Sequence, residues 1–397
     1  VRIGGAGATG DDAPRRRRYH LLMPSSPSDL TVLQVLPALV SGGVERGTLE
    51  IAEAIIRAGG RALVASAGGP LVAPLEALGA RHVTLPLRSK SPLGILRNAG
   101  ALARVVRAEG VRIIHARSRA PAWSALLAAR RTAAHFVTTY HGTYNENFPG
   151  KRLYNSVMAR GERVIAISSF IAGHIRERHG TGPERIRVIP RGVDPALFDP
   201  AAVAPARLEA LRAAWQVPPG RPVILLPARL TRWKGQGVLV EAMAQVPEAV
   251  ALLVGGGNEA FRAELRARIA TLGLADRVRL VGHAEDMPAA LLLADIVVHA
   301  STDPEAFGRT VIEAQAMARP VIAADLGAPR ETVQQGVTGW RVTPGDPAAL
   351  AAALRAALEM PAEARAGIGA RARAHVMTRY TTRAMQDATL DVYRELA

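Results

Sequence analysis

Two glutamates eight positions apart, Glu305 and Glu313, bracket Ala306-Phe307-Gly308-Arg309-Thr310-Val311-Ile312. A carboxylate in a loop, a glycine turn and a helix carrying a second carboxylate form a device suited to a sugar nucleotide. Gly308 permits close backbone approach. The helix start offers free N–H groups and a positive dipole end to a diphosphate. The carboxylates accept hydrogen bonds from sugar hydroxyls on either side of that phosphate. The same spacing also fits a plainer arrangement, a surface glutamate and an Arg309–Glu313 helix ion pair worth only about 0.2–0.5 kcal/mol.

Cations follow in a second loop. Arg229 and Lys234 lie in Ala228-Arg229-Leu230-Thr231-Arg232-Trp233-Lys234-Gly235, directly after an apolar run. Two fixed cations there can neutralise a diphosphate and stabilise it as a leaving group. Gly42 and Gly43, in Ser41-Gly42-Gly43-Val44-Glu45-Arg46, open a helix after the first apolar run. Backbone N–H groups at such a turn can approach a phosphate, and an ordinary β–α turn has the same composition. His141, in Thr139-Tyr140-His141-Gly142, ends another run, where a neutral imidazole can hydrogen-bond a sugar hydroxyl or phosphate. No Asp-x-Asp triplet and no His/Asp/Glu cluster at metal-ligand spacing occurs. No metal is expected, and phosphate charge falls to the two cations and a helix dipole.

These residues need rigid elements to hold them. Strands are expected at 31–36, 61–66, 111–115, 135–140, 163–168 and 186–190, with helical segments between them. A second alternating series has strands at 223–226, 249–254, 278–281, 296–299 and 320–323. Such β–α alternation implies α/β domains with parallel sheets covered on both faces. A chain of 397 residues exceeds one ordinary core, so two domains are expected, joined by a Pro/Ala-rich linker near 190–220. Open α/β sheets bind ligands at the carboxyl ends of their strands, where the motifs above fall.

The segment from Glu305-Ala306-Phe307-Gly308 through Glu313-Ala314-Gln315-Ala316-Met317-Ala318 to Arg319-Pro320-Val321-Ile322-Ala323 resembles the Glu-x7-Glu region of family 4 glycosyltransferases. Gly327-Ala328-Pro329-Arg330-Glu331 and Gly336-Val337-Thr338-Gly339-Trp340 extend the likeness, which runs over roughly 31–395 and is weaker in the first half. The resemblance implies the GT-B architecture, two doubly wound Rossmann-like parallel-sheet domains facing a cleft. It places an acceptor-binding domain at 30–200, a nucleotide-sugar domain at 201–379 and a C-terminal helix at 380–395 that crosses back to the first domain. It implies a retaining glycosyltransferase whose co-substrate is a UDP- or GDP-linked sugar, with no other cofactor. Glu313 would hold the ribose, Glu305 the transferred sugar, and Phe307, Gly308, Arg309 and Thr310 would surround sugar and phosphate. Arg229 and Lys234 would serve the departing diphosphate, and His141 the donor. Gly255 and Gly257 resemble the turn beneath the nucleotide, and Ala284 belongs to a loop whose backbone reads the base. Arg88, Lys90, Arg117 and Arg119, near predicted strand ends, are the candidates for an anionic acceptor. Fold-level analogy extends this to a lipid-linked glycan of lipopolysaccharide or cell-surface polysaccharide synthesis, made at the inner face of the cytoplasmic membrane. A GT-B nucleotide-sugar 2-epimerase or a non-catalytic sugar-nucleotide binder would share the architecture but is expected to lack part of this residue set.

Charge separates the two halves. Residues 1–200 hold 28 Lys+Arg and 14 Asp+Glu, and the remainder 22 and 20. The basic first half suggests an anionic partner such as a phospholipid surface or an acidic acceptor. Nucleic acid fits poorly, because aromatics make up 4% of the chain and do not interleave with the cations. The absence of cysteine excludes disulfides and thiolate chemistry. Gly5-Ala6-Gly7-Ala8-Thr9-Gly10 matches G-x-G-x-x-G but lacks a preceding strand, and residues 1–29 read as a tail of exposed composition carrying the basic run Arg15–Arg18.

Overall fold

Short Val/Ile/Leu runs punctuated by glycine and proline form central parallel strands, which are buried on both faces and need no polar alternation. The computed structural model describes residues 30–40 and 42–397. The expected tail at 1–29, with its glycine motif and basic run, and Ser41 lie outside the described residues.

The first sheet contains β1 (Thr31–Val35), β2 (Arg61–Ser66), β3 (Arg81–Thr84), β4 (Ile113–Ala116), β5 (His135–Tyr140), β6 (Arg163–Ala166) and β7 (Ile186–Val188). The second contains β8 (Val223–Pro227), β9 (Val250–Val254), β10 (Val278–Gly282), β11 (Ile296–His299), β12 (Val321–Ala324) and β13 (Gly339–Val342). The order is 3-2-1-4-5-6-7 in the first and 10-9-8-11-12-13 in the second, parallel throughout. Both sheets are doubly wound and reverse direction once, at β1/β4 and at β8/β11. Ligand crevices open at such reversals.

Two strands were not expected from the sequence, β3 and β13, and both are sheet edges. An edge strand buries only part of its side chains, so Arg-His-Val-Thr at β3 carries no apolar run. Among the described residues no helix is long and apolar enough to cross a membrane.

The chain crosses between domains twice, and the crossings run side by side. The Val193 N–H donates to the Tyr380 carbonyl at 2.8 Å, and the Thr382 N–H to the Val193 carbonyl at 2.9 Å. A Cβ on Gly192 would lie 2.4 Å from the Thr382 Cα, so only glycine permits this approach. The helix Thr382–Arg394 then docks on the first domain beside the helix Gly43–Arg57. Met385, Leu390, Val392 and Tyr393 join one core cluster with Ile51, Ile55 and Val64. The fully buried Tyr393 places its hydroxyl 2.6 Å from His115 Nδ1, and His115 Nε2 is 2.7 Å from Thr139 Oγ1.

Removing the Tyr393 hydroxyl leaves a buried imidazole nitrogen without its partner. Tyr393→Phe is expected to cost about 1–3 kcal/mol, and Tyr393→Ala roughly 3–5 kcal/mol through the cavity it opens. Denaturant unfolding of the purified variants measures both, and a wild-type midpoint for Tyr393→Ala would contradict the docking.

Candidate active site

The loop after β8 holds Arg229 and Lys234, and a single 3₁₀ turn, Arg232–Lys234, aims the lysine. Gly235 ends that turn at φ 75°, and a Cβ there would lie 1.9 Å from the Ala300 carbonyl oxygen. Opposite, the loop after β11 carries Glu305. The Ala328 N–H donates to the Glu305 carbonyl at 2.9 Å, and a Cβ on Gly327 would sit 2.5 Å from that same oxygen. Two glycines thus let two loops press together. Lys234 Nζ donates to Glu305 Oε2, with His299 Nε2 and Ser301 Oγ each 3.5 Å from that oxygen.

Burial alone would push the Glu305 carboxyl up. Its hydrogen bond to His299 and the charges of Lys234 and His299 outweigh that and hold it at about 2. Glu305 is therefore a carboxylate at any physiological pH. It can accept hydrogen bonds from hydroxyls but cannot serve as a proton donor.

A cavity of 470 Å³ between the domains is lined by Gly43, His141, Arg229, Lys234 and the stretch from Glu305 to Thr310. A neighbouring cavity of 520 Å³ takes in Gly42, Arg46 and Glu313. The structure thus brings the expected donor-side residues together across the cleft, except for three. Gly255, Gly257 and Ala284 line neither cavity. Gly255 and Gly257 pass under the Arg229 loop instead, where added Cβ atoms would lie 2.1 Å from the Ala228 carbonyl oxygen and 2.6 Å from that of Leu230. Ala284 is buried.

Glu313 lies on the helix Arg309–Ala316, 3.7 Å from Arg309 Nε and 4.0 Å from Arg46 Nη1 of the first domain. The i,i+4 pair that spacing allows is present, and Glu313 faces the cavity as well. Burial raises its carboxyl, opposed by Arg309 and Arg46 and aided by Glu50.

A third cavity, of 830 Å³, lies on the first domain. Arg88, Lys90 and Arg119 line it, joined by Lys151, Glu45 and Phe148. Arg119 Nη1 donates to Asn155 Oδ1 at 2.8 Å, and its guanidinium lies 4.3 Å from the Tyr144 ring centroid. Arg117 does not join this group. It is 2% exposed and turns inward to Gln34, with Nη1 3.1 Å from Gln34 Oε1. A strand-end position told where Arg117 begins but not which way its side chain runs.

Sequence reasoning passed over three contributors. His299 supports Glu305 from the last position of β11. Lys151 adds a cation to the third cavity. Arg191 lines the inter-domain cavity and falls within the expected linker. No spacing marks these residues, because their partners are distant in the chain.

Glu305 titrates far lower folded than in its ordinary range near 4.5. Its charge therefore contributes stability above about pH 4.5, and that contribution disappears as pH falls towards 2. The stability gap between wild type and Glu305→Gln is expected to be constant above about pH 5 and to close on acidification. Urea unfolding across pH 2.5–7 measures it, and a gap that widens in acid would reverse the assignment.

Comparison with known proteins gives this geometry a family. The family described as Glycosyltransferase Family 4 matches residues 41–197, and the one described as Glycosyl transferases group 1 matches residues 208–375. The D-inositol 3-phosphate glycosyltransferase of Xylanimonas cellulosilytica is 33% identical over 326 residues, covering 74% of this chain and 75% of that one. The relative of the same name from Salinispora tropica is 32% identical, and the match spans 60% of this chain and 52% of its own. Among solved structures, a glycosyltransferase from Rickettsia africae shares 38% identity at TM-score 0.85, covering 92% of this chain and 98% of that chain. Anabaena HepE in complex with UDP shares 27% at TM-score 0.82, covering 92% and 100%. With these likenesses running through both domains and both halves of the cleft, the chain belongs to the family 4, group 1 glycosyltransferases of GT-B fold.

Proposed function

We propose that this transferase moves a hexose from UDP to an anionic acceptor with retention of anomeric configuration. One observation carries the reading: Lys234 and Glu305 meet at a cavity where the carboxyl ends of both sheets face each other. HepE is described in complex with UDP and with UDP-glucose, which favours uracil over guanine. The closely matching relatives are named for a phosphorylated inositol, which favours an acceptor bearing phosphate.

Glu313 takes the ribose hydroxyls and Glu305 those of the transferred hexose. An ammonium has three donors. Lys234 therefore keeps Glu305 oriented with one and offers the others, beside Arg229, to the diphosphate. Both cations stabilise charge that grows on the leaving oxygen, where electrostatic help is worth most. That oxygen takes the acceptor proton on the face it leaves, which gives retention without a covalent sugar–enzyme intermediate. The acceptor sits against Arg88, Lys90, Arg119 and Lys151.

The first test is nucleoside diphosphate release from a panel of UDP- and GDP-sugars, with phosphorylated polyols and membrane extract as acceptors. UDP-hexoses are expected to be consumed. Lys234→Ala and Glu305→Ala are each expected to lower turnover by about 100-fold or more while folding normally. Chelation is expected to change nothing. Unchanged turnover in either variant removes that residue from the site, and activity lost with chelator and restored by manganese contradicts Arg229 and Lys234 as the phosphate cations.

A lipid-linked form of the acceptor is favoured by a separate observation. Leu93 and Leu96, just after Lys90, and Phe148 and Leu153, flanking Lys151, are 47–67% exposed. Apolar side chains beside cations suit an anionic bilayer surface, where each Lys or Arg adds about 1 kcal/mol. The protein is expected to co-sediment with anionic liposomes at low salt and to dissociate at high salt. Removing residues 1–28 separates the contribution of Arg15–Arg18 from that of the folded domain. Equal binding to neutral and anionic lipid, or none at low salt, leaves a soluble acceptor.

A further inference from the structure

Arg191 occupies a costly place. It follows β7, is 6% exposed, and packs beside a second buried guanidinium, Arg117. Both are seated against Gly47, in the second turn of the helix Gly43–Arg57. A Cβ on Gly47 would lie 2.5 Å from Arg191 Nη1 and 2.9 Å from Arg117 Nη2. A glycine within a helix costs about 0.5–1 kcal/mol relative to alanine, and here the space it frees is filled by the two arginines. Arg117 is tied back through Gln34, whose Nε2 donates to the Thr48 carbonyl at 2.9 Å. Arg191 is turned the other way, with Nη2 2.7 Å from His141 Nδ1.

A guanidinium only donates. His141 Nδ1 must therefore accept, so it carries no proton, and the neutral ring carries its hydrogen on Nε2. That atom is shielded from solvent and has no partner among the described residues. A shielded donor without an acceptor costs about 1–3 kcal/mol, and a substrate oxygen in the adjoining cavity would offset that cost.

We infer that Arg191 is a positioning residue that locks His141 in its Nε2–H tautomer, so that the imidazole meets the sugar donor as a neutral hydrogen-bond donor at every working pH. The inference rests on the donor-side role given to His141 above. Arg191, Arg117 and His115 act on the ring, with the Tyr144 hydroxyl on its backbone side, 3.5 Å from the His141 N–H. Arg229, Lys234, Arg309 and one carboxylate, Glu305, line the same cavity, and Glu305 is paired with Lys234. Burial first, then Arg191, Arg117 and His115, push the His141 imidazole well below its ordinary range. A second proton would set N–H against N–H beside two buried cations. Burial first, then Arg117 and Arg309, lower the Arg191 guanidinium to about 9, opposed by the carboxylates Glu50 and Glu45, so it still carries its charge at neutral pH.

The test is nitrogen NMR of the full chain with labelled histidine, the His141 signals being assigned by their loss in His141→Asn. In wild type, His141 is expected as the Nε2–H tautomer with no titration from pH 5 to 8. In Arg191→Met it is expected to show mixed tautomers or to titrate in that window. Turnover is expected to fall through kcat by about 10–100-fold, by analogy with the range for partners that orient metal-ligating histidines. Arg191→Lys, which keeps a cationic donor, is expected to recover part of both. Gly47→Ala displaces the guanidinium without removing it and is expected to repeat the tautomer change, so the reading survives if Arg191→Met does not fold. Identical His141 signals in wild type, Arg191→Met and Gly47→Ala would overturn the inference whatever the activity. A changed tautomer with unchanged kcat would confirm the Arg191–His141 contact and instead remove His141 from the donor-side reading.

Discussion

The site depends on keeping one ammonium and one carboxylate together, largely out of water. The side chains of Lys234 and Glu305 are each 17% exposed. Desolvating two charges costs several kcal/mol per ion, and the pair repays this only with good geometry and satisfied neighbouring atoms. His299 and Ser301 stand by the shared oxygen for that reason. The backbone is arranged around the same need. Gly235 against Ala300 and Gly327 against Glu305 are approaches that no side chain allows. The loops after β8, β11 and β12 are therefore fixed together, and their meeting point is where strand order reverses.

Much of this is legible in the amino-acid sequence, and the reason is physical. Central parallel strands are buried on both faces and so largely apolar, which makes β1, β2, β8, β9 and β11 stand out, while β5 is marked by its β-branched and aromatic residues. The loops at their carboxyl ends must then carry the chemistry, which points to Glu305, Lys234, Arg229 and His141. Direction was less legible than place. Arg117 and Arg119 are two residues apart at one strand end, yet one faces Gln34 and the other a cavity. The tertiary reasons for Gly47, Gly235 and Gly327 were not legible at all, since each depends on what passes nearby in space.

Few polar contacts join the two halves of the cleft, and they cluster near the crossings. Glu331 of the second domain accepts from the Ser169 and Phe170 N–H groups at 2.9 and 2.7 Å, capping the helix Ser169–His179 of the first. Ser168 Oγ donates to the Ala306 carbonyl at 2.8 Å, and Arg309 reaches Glu50 at 3.3 Å. Domains in one chain move relative to each other by default unless a large apolar interface joins them, and here an apolar cluster that includes Ile171, Phe307 and Tyr380 also runs across. Ala306 and Arg309 belong to the same stretch that carries Glu305, so any such motion is felt at that carboxylate.

The docked helix Thr382–Arg394 has a consequence for how the chain is made. The core of the first domain includes Tyr393, whose partner His115 precedes it by 278 residues. During synthesis the whole second domain emerges before that helix exists. Domains tend to fold as units in order of emergence, but this first unit must wait with one apolar flank bare. Contacts of such long sequence separation also form late and slowly. The nascent chain therefore has an interval in which Ile51 and Ile55 lack the cover that Met385, Leu390 and Tyr393 later give them.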